Sequence, residues 1–369
     1  MADYSTNRRA EKFIFKRVSW STWAEVGTYD QFTGGSIDYG AYSQLKVSAA
    51  LDYTGEAPDT TDLVRVYYRF TDDYGETAEH ALGTFLVGYT TESLQAGGDG
   101  LLSSGSVTGY SVLKALSDRL CGLPLTIPAQ TDPIQYAAAL VASQGLRVNV
   151  QQNQTYALTA PHTFEPDDSY LTVVNWCLTN CSTQYQAAFV DGYGTVQIQP
   201  YQEPTSRSAA WTFRDDSKSI MQPVIQEENE WQTSANVVRL YYESDSEAMW
   251  AVAKALDGSR AALANRGGRE ITYYELVDEV SDLDALEALA VTRLKDRCAE
   301  IERVSLTHAY VPISTGDPVK VEYADRSWSG TVQNMTIVLT PSAQTSTQLR
   351  RYVSSALAVE IDGGTLWTA

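Results

Sequence analysis

The chain has little of what most catalytic centres are built from. Its 369 residues include only three histidines (His80, His162, His308) and four cysteines (Cys121, Cys177, Cys181, Cys298). Four cysteines in so long a chain make no disulfide framework. Cys177 and Cys181, four apart, can share one helix face, but a structural zinc needs two ligands more; packing in a core is the ordinary use of such residues. No apolar run approaches the ~20 residues that span a bilayer. The segment Met1 to Arg9 is polar, with no apolar stretch of a secretory signal, so folding in a reducing cytoplasm is expected. Cations are scarce too: 27 Lys and Arg against 46 Asp and Glu, a net charge of −19. A surface this acidic repels phosphates and argues against tight nucleic-acid binding. It serves solubility, and it would equally suit a protein that DNA must pass without adsorbing.

Known chemical motifs are missing. There is no G-x-x-x-x-G-K-[ST] and no G-x-G-x-x-G between a strand and a helix. Gly105-Ser106-Val107-Thr108-Gly109 places Val where a nucleophile elbow needs Ser, and reads as strand. Acidic pairs stand at Asp72-Asp73, Asp167-Asp168, Asp215-Asp216 and Glu227-Glu228, each near a turn or polar loop, where such pairs are usually solvated. Hydrolytic carboxylates must instead face each other across a cleft, roughly 5–10 Å apart. His308 alternates within a strand and has no partner to make it a general base. Arg8, Arg9, Lys12, Lys16 and Arg17 form a local basic patch, read as a solvated arm or as a docking point for an acidic neighbour. No catalytic residue, metal ligand or cofactor site is expected, and the chain reads as a non-enzyme.

What the chain does have is β-structure and tyrosine: 23 Tyr against 8 Phe. Tyr suits half-buried strand positions and interfaces, and a sugar-stacking role for some is the minority reading. Residues 1–110 read as about six strands, among them Phe13 to Val18, Leu45 to Tyr53, Asp62 to Thr71, His80 to Leu94 with Gly83 and Gly88 as bends, and Leu101 to Tyr110 after a Gly97-Gly98-Asp99-Gly100 tip. Helices are expected from Ser111 to Leu120, from Asp132-Pro133 to Gly145, and from Tyr170, capped by Ser169, to Tyr185. The strongest helix is 281–301, where Leu283, Leu286, Ala290, Leu294, Cys298 and Ile301 recur at helical spacing. Ser281 or Asp282 caps it, and acids early and Arg293, Lys295 and Arg297 late suit its dipole. Ser234 to Tyr242, Val304 to Val311, Pro318 to Tyr323 and Trp328 to Leu339 are further strands. Ala248 to Leu256 is ambiguous and is assigned to strand.

Ala187 to Pro204 forms strand, turn, strand and exit. Asp191-Gly192 and Tyr193-Gly194 supply positions able to take φ > 0, and Pro200 and Pro204 end the pairing. This is architecture without chemistry, so Gly192→Val should damage folding or assembly and no reaction.

Several segments in order carry a resemblance: Val18-Ser19-Trp20-Ser21-Thr22-Trp23, Gly35-Ser36-Ile37-Asp38-Tyr39, Gln44 to Leu51, Leu63-Val64-Arg65-Val66, Leu82 to Val87, Phe189 to Gly194 with Pro200-Tyr201, and Ala235-Asn236-Val237-Val238. Together, over about residues 13–340, the chain resembles the baseplate hub or tail-tip proteins of long-tailed bacteriophages of Gram-positive bacteria. The resemblance implies a β-rich α+β fold, two β-barrel domains flanking an α+β domain, in a chain that forms a trimeric ring. It implies a first barrel at 1–109, an intervening domain at 110–205 and 246–300, a second barrel from 206–245 and 301–345, and a C-terminal extension at 346–369. It also implies a structural role at the end of a virion tail: six barrels of a homotrimer matching a sixfold tail tube, a threefold face meeting a central spike or fibre, and genomic DNA passing through unbound. Partners would be the tail tube or distal tail protein and the tape-measure protein. Some relatives continue into a cell-wall hydrolase; this chain ends at Ala369, soon after the last expected strand, and is expected to carry none. A carbohydrate- or receptor-binding module, and an enzyme using the acidic pairs, stay as the competing readings.

Overall fold

The structure, a computed structural model, describes all residues except 1–2, 6–8, 59–60, 98–99, 152–155, 180–184, 203–205, 217–218, 230–233, 245–246, 278–279, 281, 300–301, 341–343, 352–356 and 369. Arg8, Cys181, Pro204, Ser281, Ile301 and the Gly98-Asp99 tip, all given roles by the sequence reading, lie outside the described residues.

Alternating apolar residues build a 13-stranded sheet. Its order is Met221–Asn229, Glu302–Ala309, Gln344–Arg351, Arg326–Val338, Phe32–Gly40, Val47–Thr54, Gly100–Ser111, Thr77–Gly97, Leu63–Thr71, Ala10–Val18 and Glu25–Thr28; Pro318–Tyr323 and Trp211–Arg214 branch from Arg326–Val338. The early and late strands meet where Gly40 to Ser36 run antiparallel to Asn334 to Val338. They also share one core: Phe15, Tyr53, Tyr68, Phe70 and Phe85 pack in the same cluster as Phe213, Val321, Trp328, Ile337 and Leu349. Where two separate barrels were expected, the described ladders form one continuous sheet, and no described pairing closes it. The expected bends at Gly83 and Gly88 coincide with register shifts opposite Val66/Tyr67 and between Val87 and Thr90.

A second cluster lies on the outer side of that sheet. Val18 and Leu63 turn away from the first core and pack with Leu113, Ile134, Val141, Val174 and Ile198. Three helices stand here: α1 (Lys114–Ser117), α2 (Pro133–Ser143) and α3 (Tyr170–Thr179). The helix expected from Ser111 to Leu120 shrinks to the single turn α1, because Ser111 ends the preceding strand and its hydroxyl accepts from the Leu113 amide. The other starts are as read. Asp132 caps α2 through the Ile134 amide at 2.9 Å, Ser169 caps α3 through the Thr172 amide at 3.1 Å, and Gly145 closes α2 at φ +73°.

The third unit is a four-stranded sheet, Thr272–Val277, Val237–Glu243, Glu247–Asp257 and Ala358–Thr368, with α4 (Leu283–Ala299) on one face. The α4 stripe Leu286, Ala290, Leu294 and Cys298 is buried as its periodicity requires. Asp282 supplies the cap, accepting from the Ala285 amide. The strand read from Ala248 to Leu256 is there, but it pairs with Val237–Glu243, which the sequence reading had assigned to the second barrel. A short loop at Ser244, whose hydroxyl accepts from the Glu247 amide, makes that local hairpin the nearest partner. Residues 346–369, read as an extension, hold two strands. One, Gln344–Arg351, hides in the sequence because its inward residues include Thr345 and Thr347, which are polar yet fully buried. The other, Ala358–Thr368, edges the four-stranded sheet.

Candidate functional site

The residues that chemistry would draw on are scattered. Asp72 staples a turn: its carboxylate accepts from the amides of Asp3, Tyr74 and Glu76, and those bonds, Asp3 first, hold its pKa below the ordinary carboxylate range. Asp168 caps a turn at the Glu165 amide, and Glu227 pairs with Arg326. Cys177 is in the second core and Cys298 in the third, where burial pushes the thiol up to about 11. Among the described residues no group of His, Cys, Asp and Glu could hold a metal ion. The basic patch disperses as well. Lys12 and Arg17 are exposed and Arg17 pairs with Asp62, while Arg9 is drawn inward, over the Phe70 ring and onto the Tyr310 carbonyl at 2.6 Å. Arg9 therefore ties the first strand group to the last instead of forming a solvated arm.

His308 is a core residue. It packs against Phe213 at 4.4 Å; its Nδ1 donates to the Ala309 carbonyl at 2.7 Å and its Nε2 accepts from the Thr347 hydroxyl at 2.8 Å. Burial, and secondarily the Arg9 charge, pushes its pKa down to about 4. An unfolded histidine titrates near 6.5, so as pH falls from about 6.5 to 4 the unfolded chain takes up a proton that the folded one refuses. Stability attributable to His308 is then complete above pH 6.5 and falls by about 3 kcal/mol at most below 4. His308→Gln is expected to flatten the loss of melting temperature over that range. An unchanged slope would assign acid lability to other groups.

The hairpin at 189–198 is held to the large sheet by a set of side-chain hydrogen bonds. Asp191 organises its turn, accepting from the amides of Tyr193 and Thr195, each at 2.9 Å, and from Gln197. Gly194 takes φ +77° as expected, but Gly192 has no such conformation. A Cβ on Gly192 would stand 1.9 Å from the Ala81 carbonyl oxygen, so this glycine is required by close approach to the large sheet and not by its torsion. The Thr84 hydroxyl donates to the Gly192 carbonyl at 2.9 Å. Arg65, 5% exposed, donates to the Tyr193 carbonyl at 3.1 Å, to Thr84 at 2.9 Å and to Glu25 at 3.1 Å, and lies against the Tyr193 ring. Tyr67 donates to the same Glu25 oxygen at 2.6 Å, and burial with that bond pushes its hydroxyl up to about 12. Arg147 reaches the Tyr193 carbonyl at 2.5 Å while covering Trp23, whose Nε1 donates to Gly145. The turn thus fastens the α+β region to the outer side of the large sheet.

Elsewhere, one sheet face stands open. Opposite α4, the four-stranded sheet presents the rows Leu276–Tyr241–Trp250–Gly364 and Tyr274–Arg239–Val252–Asp362, followed by Thr272–Val237–Lys254–Glu360, in which Val237 is covered. Tyr274 and Leu276 are 61% and 58% exposed. A shallow recess of about 240 Å³ lies among Arg239, Trp250, Val252, Lys254, Glu360 and Asp362.

This arrangement, a long sheet shared by early and late strands with an α+β unit clipped to its outside, has counterparts among solved structures. A tail protein from Neisseria meningitidis MC58 matches with TM-score 0.65 over 92% of this chain and 97% of that one, at 15% identity. The 43 kDa tail protein of prophage MuSo2 from Shewanella oneidensis matches with TM-score 0.65 over 92% and 98%, at 12% identity. The fold is that of phage tail proteins. Prophage tail protein gp18 from Listeria monocytogenes EGD-e extends the likeness, at TM-score 0.53 over 93% and 95% and 11% identity. No protein-family model matches, and no relative is found among curated proteins. Within this tail-protein fold the sequence reading located the 189–198 turn but not its receptor. Arg65, Thr84, Glu25 and Tyr67 lie more than a hundred residues away, and only the alternation of Arg65 within an apolar strand marks it as unusual. The recess was missed too, since its residues come from three strands that pairing alone brings together.

Proposed function

We propose that the chain is a structural hub at the tip of a long phage tail, a trimer whose ring adapts a sixfold tube to a threefold spike or fibre. The single observation that carries this reading is the likeness to tail proteins from end to end of the fold, over more than nine-tenths of the chain. In it the strands of 1–109 and those of 211–229 with 302–351 serve as the two tube-like units, and 110–205 with the four-stranded sheet and α4 as the unit outside the ring. The neighbours would be a tube or distal tail protein, the tape-measure protein and the central spike or fibre, in a virion made in the host cytoplasm. A large share of the −19 charge would line the channel, letting DNA pass without adsorbing. The role is architectural, with no reaction assigned. Because the counterparts come from Neisseria, Shewanella and Listeria, the proposal leaves the host wider than Gram-positive bacteria.

The test is the oligomeric state. Light scattering is expected to give the mass of a trimer for the chain with its tail neighbours, and electron microscopy a threefold ring at the tube's end. A monomer both alone and with those neighbours, or a ring whose inner wall is neutral or basic, would overturn the reading. The carbohydrate- or receptor-binding alternative keeps one specific observation in its favour, the open aromatic face beside Trp250.

A further inference from the structure

Three features of the open face opposite α4 point to a ligand. First, Trp250 stands across from Gly364 on the edge strand. A Cβ at Gly364 would meet indole Nε1, Cε2 and Cζ2 at 3.2–3.5 Å, so the missing side chain is what lets the indole reach over the neighbouring strand. Second, polar groups of both kinds surround it: Arg239, Glu360 and Asp362 make no described side-chain hydrogen bond or close ion pair, although Arg239 feels the charges of Lys254 and Glu270, and Glu360 that of Lys254. Lys254 is already held by Glu270 at 2.9 Å. Third, the recess of about 240 Å³ lies below the roughly 300–1,000 Å³ of sites for drug-sized ligands, a size that suits one six-membered ring.

We propose that this recess binds a neutral saccharide unit. A sugar ring is amphipathic: its C–H face lies against an aromatic ring, and each edge hydroxyl both donates and accepts. Trp250 and Val252 provide the apolar floor. Glu360 and Asp362 accept from hydroxyls, and Arg239 donates to them. A free anion would meet the two carboxylates and a free cation the Arg239 guanidinium, so an uncharged ligand able both to donate and to accept is the one selected. Tyr241, beside Trp250 in the same row, and Tyr274, beside Arg239 in the next, extend the surface for further units of a chain. The site is independent of the hub reading: it faces away from α4 in the third unit, and its failure would leave the trimer untouched.

The test is a glycan array printed with neutral, uronic-acid-bearing and phosphate-bearing oligosaccharides, probed with the full-length chain and then titrated with the best-bound neutral oligosaccharide. Neutral saccharides are expected to bind, with affinity falling at least tenfold in Trp250→Ala and in Asp362→Asn. Gly364→Val, which displaces the indole, should weaken binding similarly. Asp362 is exposed, so its variant should melt as the parent does and report on binding alone. Binding confined to acidic or phosphorylated glycans, no binding, or binding indifferent to Trp250→Ala and Asp362→Asn would overturn the proposal. So would loss of self-association in Trp250→Ala without any glycan binding, which would make this face a protein contact.

Discussion

Gly192→Val is expected to destabilise the folded chain by about 3 kcal/mol or more, measured by urea unfolding or thermal melting. The reason is geometric. A Cβ at this position would sit 1.9 Å from the Ala81 carbonyl oxygen and 2.6 Å from its carbon. Both are backbone atoms of the paired strand Thr77–Gly97, so no rotamer change relieves the clash. The hairpin must lift off instead, and Thr84, Arg65 and Arg147 then lose their acceptors on Gly192 and Tyr193. Amide exchange should rise together at 189–198. Gly194→Ala makes a graded comparison, since a left-handed residue costs about 1–2 kcal/mol when it gains a Cβ, with a further contact to Trp23 at 2.7 Å. A Gly192→Val chain that melts and exchanges like the parent would show that the turn does not seat against Ala81.

Arg65→Ala should cost about as much, on the order of 3 kcal/mol, through the other half of the same contact. The guanidinium is almost fully buried and meets a carboxylate, a hydroxyl and a carbonyl at 2.9–3.1 Å. Its removal leaves Glu25, at the edge strand Glu25–Thr28, with the Tyr67 hydroxyl as its neighbour and no cation. Lysine is no substitute, because one ammonium cannot span three acceptors set in the plane of a fork. The double variant Arg65→Ala with Gly192→Val is expected to be destabilised by clearly less than the sum of the two, since either change alone undocks the hairpin. Additive losses would mean that Arg65 stabilises the large sheet without regard to the turn.

Local structure was legible wherever neighbours in sequence suffice to set it. Asp132-Pro133 with Gly145 bounded α2, Ser169 started α3, and the Leu286, Ala290, Leu294 and Cys298 stripe located α4, because caps, torsions and a 3.6-residue period act within a few residues. Even the ambiguous Ala248 to Leu256 segment went to strand on a faint alternation. Illegible were the strands whose inward residues are polar, as at Thr345 and Thr347, and the helix cut short by Ser111. Arg9 could not be read as a core-facing residue either, because its acceptor is the carbonyl of Tyr310 at the far end of the chain.

A β-rich chain of acidic composition, with a few well-capped helices, sparse metal-binding residues and a tight turn at Asp191 to Gly194, is readable from the residues in order. Each of these follows from composition or from interactions spanning a handful of residues. Long-range packing is what puts early and late strands in a single sheet and core, requires glycine at 192 through a carbonyl on another element, and gathers Trp250, Arg239, Glu360 and Asp362 around one recess. Strand pairing has no range limit along the chain. A residue's partner across a sheet is set by register between segments far apart in sequence, and a one-residue slip in that register would turn every one of these side chains to the opposite face.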